Sequence, residues 1–404
     1  MERAPPFRRL LRVVLLGASA SVSACSLQGP RLAPVSHLAY NEAVQISEQR
    51  ELLLNLVRLR YMDTPEFLAI SSISSQMEFE AQASLLGSFG DDAGKTMRLI
   101  EPGVGARYSE SPTVMFAPLR GEDFTRRLVA PVELDSLYLL TQYGWSLERS
   151  LRLLVDEING ISNALPRETA TTQTAESIQQ FAELARQMRS LHARRLIDID
   201  VTERWTPIAS PIPATQVSAQ DLLEASAAGY RFAYEADSAS YSLESRAEHY
   251  VLRVEQEAFG LPELTELLTR LGLQAGESTY ELDARESSRV SPGSALTIRT
   301  RSVLGALAYA AQHIVVHQED LERGVAAPNA FAGAARAPLL EVRSRDTEPV
   351  DAFIAVPYRG RWFYVDDDDL ESKRTLGLLN SLMRLEIGAG GAQNVPVLTL
   401  PVAR

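Results

Sequence analysis

The stretch 352–370, AFIAVPYRGRWFYVDDDDL, decides the fold class, because it changes hydrophobic period within a few residues. Ala352 to Val356 and Trp362 to Val365 are apolar, aromatic segments flanking Arg359-Gly360, a dipeptide suited to a tight hairpin turn. Asp366 to Asp369 follow, and acids ahead of an apolar run at helical spacing predict a helix N-terminus, with the helix running to about Leu385. A hairpin that passes directly into a helix is the pattern of an α+β fold.

The rest of the chain mixes the two periods in the same way. Leu38 to Tyr61 reads as a helix with Leu52, Leu53, Leu56, Val57 and Leu59 crowded on one side, stopped by Asp63-Thr64-Pro65. Alternation at Met77, Phe79, Ala81, Ala83 and Leu85 predicts a strand, and a polar turn at Gly90 to Lys95 leads to strands near 97–100 and 113–116. Helices are expected at 131–143, 146–158, 178–194, 219–227, 262–271 and 302–322. Strands are expected at 196–205, 250–254, 279–282, 296–300 and 395–400. The expectation is short antiparallel sheets backed by helices, in two domains over 37–165 and 175–404, with the threonine-rich 169–174 between them.

The N-terminus reads as an address. Arg3, Arg8, Arg9 and Arg12 precede an apolar stretch too short to span a bilayer. It ends in Val22-Ser23-Ala24-Cys25, which resembles the bacterial lipobox. That resemblance implies that 1–24 is a signal peptide and that Cys25 receives a diacylglycerol and an N-acyl chain, with 25–36 as tether. One chain holds only marginally and further chains make the anchor stable. Cys25 is the single cysteine of the 404 residues, which suits this role. Ser26 stands where lipoproteins retained in the inner membrane carry Asp, so the resemblance implies the outer membrane, facing the periplasm. Removing Glu2 and the four arginines of 1–24 takes the formal charge from −12 to −15, a balance that repels nucleic acid.

Three segments resemble an uncharacterised family of proteobacterial lipoproteins: Glu51 to Tyr61 (ELLLNLVRLRY), Gly144 to Arg149 (GWSLER) with Ile158-Asn159-Gly160, and Tyr358 to Tyr364 running into Asp366 to Lys373. The resemblance implies an envelope lipoprotein and carries no catalytic residue with it.

Candidate chemistry is thin. Gly90 to Thr96 (GDDAGKT) is one residue short of a phosphate-binding loop, with two acids inside it, and reads better as a turn. His313 and His317 are four apart on an expected helix, a geometry metals use, yet no HExxH motif or third ligand accompanies them. Asp366 and Asp368 belong to the densest acidic run, which lacks the spacing and glycine of a calcium loop and suits helix capping. No catalytic residue and no cofactor beyond the lipid is assigned. Arg359, Arg361, Trp362 and Tyr364 form the expected recognition surface. The leading reading is a non-catalytic scaffold or accessory subunit with an envelope protein partner. The alternatives are an envelope hydrolase acting on peptidoglycan or glycan, and a carrier of a hydrophobic ligand.

Overall fold

The structure is a computed structural model and describes residues 29–86, 101–165, 172–283, 293–329, 331 and 338–387. The lipobox at 22–25, the turn at 90–96 and the strands expected near 97–100 and at 395–400 lie outside the described residues. The chain has an α+β fold. The described residues up to Pro65 and from Ala130 to Met383 form one compact unit, and those from Glu66 to Val129 belong to a second.

The second unit is built on a long antiparallel ribbon. Strands β1 (Leu68–Leu86) and β2 (Glu101–Pro118) pair from Leu68 with Pro118 to Leu86 with Glu101, with one irregularity between Ile70 and Ser72. The Leu119 N–H donates to the Phe67 carbonyl at 2.9 Å, so the chain enters and leaves the ribbon side by side. Phe67 then packs on Phe124 of helix α2 (Glu122–Val129), with ring centroids 5.8 Å apart.

The first unit opens with helix α1 (Gly29–Arg60), which begins inside the residues read as a tether. Pro30 falls in its first turn, where an absent N–H costs no hydrogen bond. Of the expected stripe, Leu52, Leu53, Leu56 and Val57 are all at most 3% exposed, while Leu59 is half-buried. This helix packs against helix α8 (Val303–Ala311) and strand β12 (Ala352–Tyr358).

An eight-stranded sheet forms the centre. Its path runs β4 (Ile161–Ser162), β3 (Val155–Ile158), β10 (Ala295–Thr300), β9 (Thr279–Asp283), β8 (Ser240–Val254), β5 (Ile197–Pro207), with β6 (Ile212–Pro213) and β7 (Tyr230–Glu235) also on β8. All pairs are antiparallel except β9 with β10. Helices α3 (Leu134–Gln142), α4 (Leu147–Leu154), α5 (Thr172–Ala193) and α7 (Pro262–Leu271) supply much of the core. In α5, Ile178, Phe181, Ala182, Ala185 and Met188 fall at helical spacing and are at most 2% exposed. The threonine-rich stretch expected as a boundary lies partly outside the described residues, and α4 and α5 on its two sides belong to the same unit.

The hairpin and helix that set the fold class form as expected. β12 pairs with β13 (Arg361–Asp366), which also pairs with β11 (Arg343–Arg345). Arg359 and Gly360 adopt φ of 49° and 79°, the doubly left-handed geometry of a two-residue turn that matches strand twist. Asp369 caps helix α10 (Leu370–Glu386), accepting from the Ser372 N–H at 3.0 Å.

Two helix expectations are corrected. The helix expected over 146–158 stops at Leu154, and Val155 to Ile158 becomes strand β3. Its apolar spacing suits both periods over so short a run, and pairing with β10 decides for strand. The helix expected over 302–322 breaks into α8 and α9 (Gln318–Glu322). Between them Ile314 bridges Val342 in parallel, and the Val315 N–H donates to the Val342 carbonyl at 3.0 Å.

At the junction of α4, β3, β10 and α8 lies Arg301, 5% exposed. Its guanidinium donates to the carbonyls of Arg152 (3.0 Å), Leu153 (2.9 Å) and Asn163 (2.5 Å) and pairs with Asp156 at 2.8 Å. It also lies 4.0 Å over the Tyr309 ring, whose hydroxyl donates to Asn163 Oδ1 at 2.9 Å. A buried charge satisfied on this many sides fixes the geometry around it.

Candidate functional site

The expected recognition surface does not assemble on one face. In β13 the side chains alternate, so Phe363 and Val365 are buried while Trp362 and Tyr364 stand half-buried on the opposite side. Arg361 shares the side of Phe363, and pairs with Asp346 at 2.7 Å and Glu319 at 3.0 Å. Arg359, in the turn, lies 5.3 Å over the Tyr61 ring and 5.6 Å over Tyr358, and donates to Asp63 at 3.4 Å. The Tyr358 hydroxyl also donates to Asp63, and with Arg359 it holds that carboxyl below the usual aspartate range. These groups fasten the end of α1 to the hairpin: Tyr61 packs on Phe363 at 5.9 Å and its hydroxyl donates to Asp320 at 2.7 Å.

The histidines separate as well. His313 lies in the turn after α8 and stacks on Phe331 at 4.7 Å, whereas His317 caps α9 by accepting from the Glu319 N–H at 3.4 Å. The helix break therefore removes the shared face. Asp366 pairs with Arg343 at 2.5 Å, and Asp368 lies in the turn before α10 with its carbonyl accepting the Leu370 N–H. Among the described residues, no group of three or more His, Cys, Asp or Glu side chains is placed to hold a metal ion. No helix among them is long and apolar enough to cross a membrane. Two other imidazoles lie beside carboxylates: His249 Nδ1 is 2.7 Å from Glu281, and His192 Nε2 is 3.2 Å from Asp198.

The surface that stands out lies where the central sheet continues past its helices. From Val201 to Tyr250 only Ser240 and Ser242 are buried, so this stretch buries no apolar side chain. It nevertheless builds regular structure. β8 pairs with β5 along 197–207, then with β6 and β7 towards its start. Helix α6 (Ala219–Ala227) is set by a capping box, in which Ser218 and Asp221 each bond the other's backbone N–H.

Register decides which side chains meet. Tyr234 lies opposite Tyr241, Phe232 opposite Leu243 and Tyr230 opposite Ser245, so Tyr230, Phe232, Tyr234, Tyr241 and Leu243 share one face. Tyr241 contacts Phe232 and Tyr234 with ring centroids 5.9 and 5.2 Å apart. Tyr230 and Tyr234 are 40% and 56% exposed. On the opposite face Arg231 and Arg246 lie 4.6 and 5.4 Å from the Trp205 ring. Among the described residues β7 is paired on one side only, with helix α6 packed against it, so its outer backbone edge has no strand partner.

This surface was not singled out from the sequence. Its signal was present in the alternation of Tyr230, Phe232 and Tyr234, but alternation does not say which face is covered. No protein-family model, curated protein or solved structure matches the chain.

Proposed function

We propose that this chain is a non-catalytic, periplasm-facing outer-membrane lipoprotein that acts as a scaffold or accessory subunit and docks an envelope protein on the sheet extension. The observation that carries the docking role is the extension itself: the 201–250 stretch is ordered as strands and a helix yet buries no apolar side chain. Contiguous exposed aromatic side chains beside an open strand edge mark a protein-docking surface. An apolar strand of the partner added along β7 would supply the missing backbone bonds and set its own side chains beside Tyr230 and Tyr234 on the same face. The lipobox resemblance at Val22 to Cys25 supports the address.

The test is affinity purification of the lipidated protein from its native envelope, followed by mass spectrometry, for wild type and for Tyr230→Ser/Tyr234→Ser. A stoichiometric partner is expected with wild type, reduced at least about tenfold by the variant, since aromatic anchors dominate interfaces. Recovery of no stoichiometric partner, or equal recovery with the variant, overturns the docking role. Separately, Cys25→Ala is expected to abolish acyl labelling and release the body from membranes; unchanged labelling and fractionation would refute the anchor.

A further inference from the structure

A second feature of the first unit concerns small anions. Helix α4 begins after Gly144, whose φ of 85° turns the chain from α3, and Ser146 gives its first turn no side-chain cap. Beside that turn opens a cavity of about 640 Å³, walled by α4, Arg189 of α5, the Pro338–Leu339 segment and the start of α10. Arg149, Arg152, Arg189 and Arg374 line it, against the carboxylates of Glu148 and Glu371. Each carboxylate is shared between two guanidiniums. Glu148 takes Arg152 at 3.3 Å and Arg189 at 2.9 Å; Glu371 takes Arg149 and, at 2.7 Å, Arg374.

The four cations and two anions leave a local excess of two positive charges in a chain whose net charge is −12. The side chains of Arg149 and Arg152 are only 7% and 5% exposed, so solvent screens their charge weakly. Guanidiniums present planar forks of donors that match oxyanions, and the uncapped first turn of α4 adds backbone N–H groups at the same mouth.

We infer that this cavity binds a compact phosphate anion of the phosphomonoester or diphosphate class. Its volume exceeds that of a lone phosphate and suits a phosphate carried on a small organic group. A second cavity of about 500 Å³ adjoins it across Pro338 and Glu371 and is lined by Asp366, Asp368 and Asp369. That acidic neighbour rejects extended polyanions, so the site selects short ligands.

The experiment is isothermal titration of the full chain at low salt with sodium pyrophosphate and, separately, with dibutyryl phosphatidic acid. Binding of at least one is expected with Kd of about 10–100 µM. Tighter binding of pyrophosphate identifies a free phosphate as the source, and tighter binding of the short-chain lipid identifies a lipid headgroup. Arg189→Gln/Arg374→Gln removes two cations whose side chains are 52% and 60% exposed, so the fold is retained, as an unchanged melting curve would verify. The variant is expected to weaken binding about tenfold or more. Arg270→Gln, which lines neither cavity and pairs with Glu266, serves as the control and leaves Kd unchanged. Absence of binding by both ligands, or an unchanged Kd in the double variant, overturns the inference.

Discussion

Glu371 stands between the guanidiniums of Arg149 and Arg374. Burial pushes its carboxyl up, and the two cations outweigh that effect, so its pKa settles below the ordinary glutamate value. A depressed folded pKa means the carboxylate contributes stability above the unfolded value of about 4.3, and this contribution is lost as pH falls through the folded value. Glu371→Gln is therefore expected to lower the urea midpoint at pH 7, with the gap from wild type closing below about pH 4. The effect at pH 7 is small, because the side chain is 60% exposed and water screens the pairs. A gap that is constant from pH 7 to pH 3 would show that the ion pairs do not contribute.

Among elements, the seating of α10 on the segment before α4 turns on one glycine. A Cβ at Gly377 would lie 2.7 Å from Cη2 of Trp145, closer than packed carbons approach. Helix propensity favours Ala over Gly by about 1 kcal/mol, while overpacking costs about 1–3 kcal/mol. Gly377→Ala is expected to leave the protein neutral to about 2 kcal/mol less stable, and in a Trp145→Ala background the same change should stabilise by about 1 kcal/mol. Additive effects across that double-mutant cycle, measured by urea unfolding, would refute the contact. Much at this scale was legible in the sequence. The hairpin at Arg359-Gly360, the aspartate cap of α10 and the helices at 219–227 and 262–271 rest on local turn and cap chemistry, and each forms as expected. What failed to show were outcomes of distant pairing. Val155 to Ile158 became strand because β10 lies beside it, and the 302–322 helix broke because Val342 arrives at Ile314. The cationic cavity was equally hidden, since Arg149 and Arg374 are far apart in sequence and only the fold gathers them around Glu371.

For the whole molecule, the chain enters and leaves the ribbon of the second unit side by side, where the Leu119 N–H bonds the Phe67 carbonyl. Gly-Ser-Gly in place of residues 68–118 can therefore span the short gap between Phe67 and Leu119. The trimmed chain is expected to keep a cooperative thermal transition within a few degrees of wild type; loss of cooperativity would show that the first unit depends on the ribbon. The buried Arg301 carries a different consequence, one of timing. Its carbonyl partners lie 138 to 149 residues upstream, and the strand that precedes it, β10, must also find β3 across a similar distance. Contacts this distant make folding slow, since a long loop must close before they form. As the chain emerges from the ribosome, the segment 152–163 can form its own bonds through Asn163, but it lacks the buried guanidinium that joins it to β10 until the arginine is made. The native core is thus sealed late, and a chain truncated before residue 301 would be expected to remain unfolded and exposed to proteases.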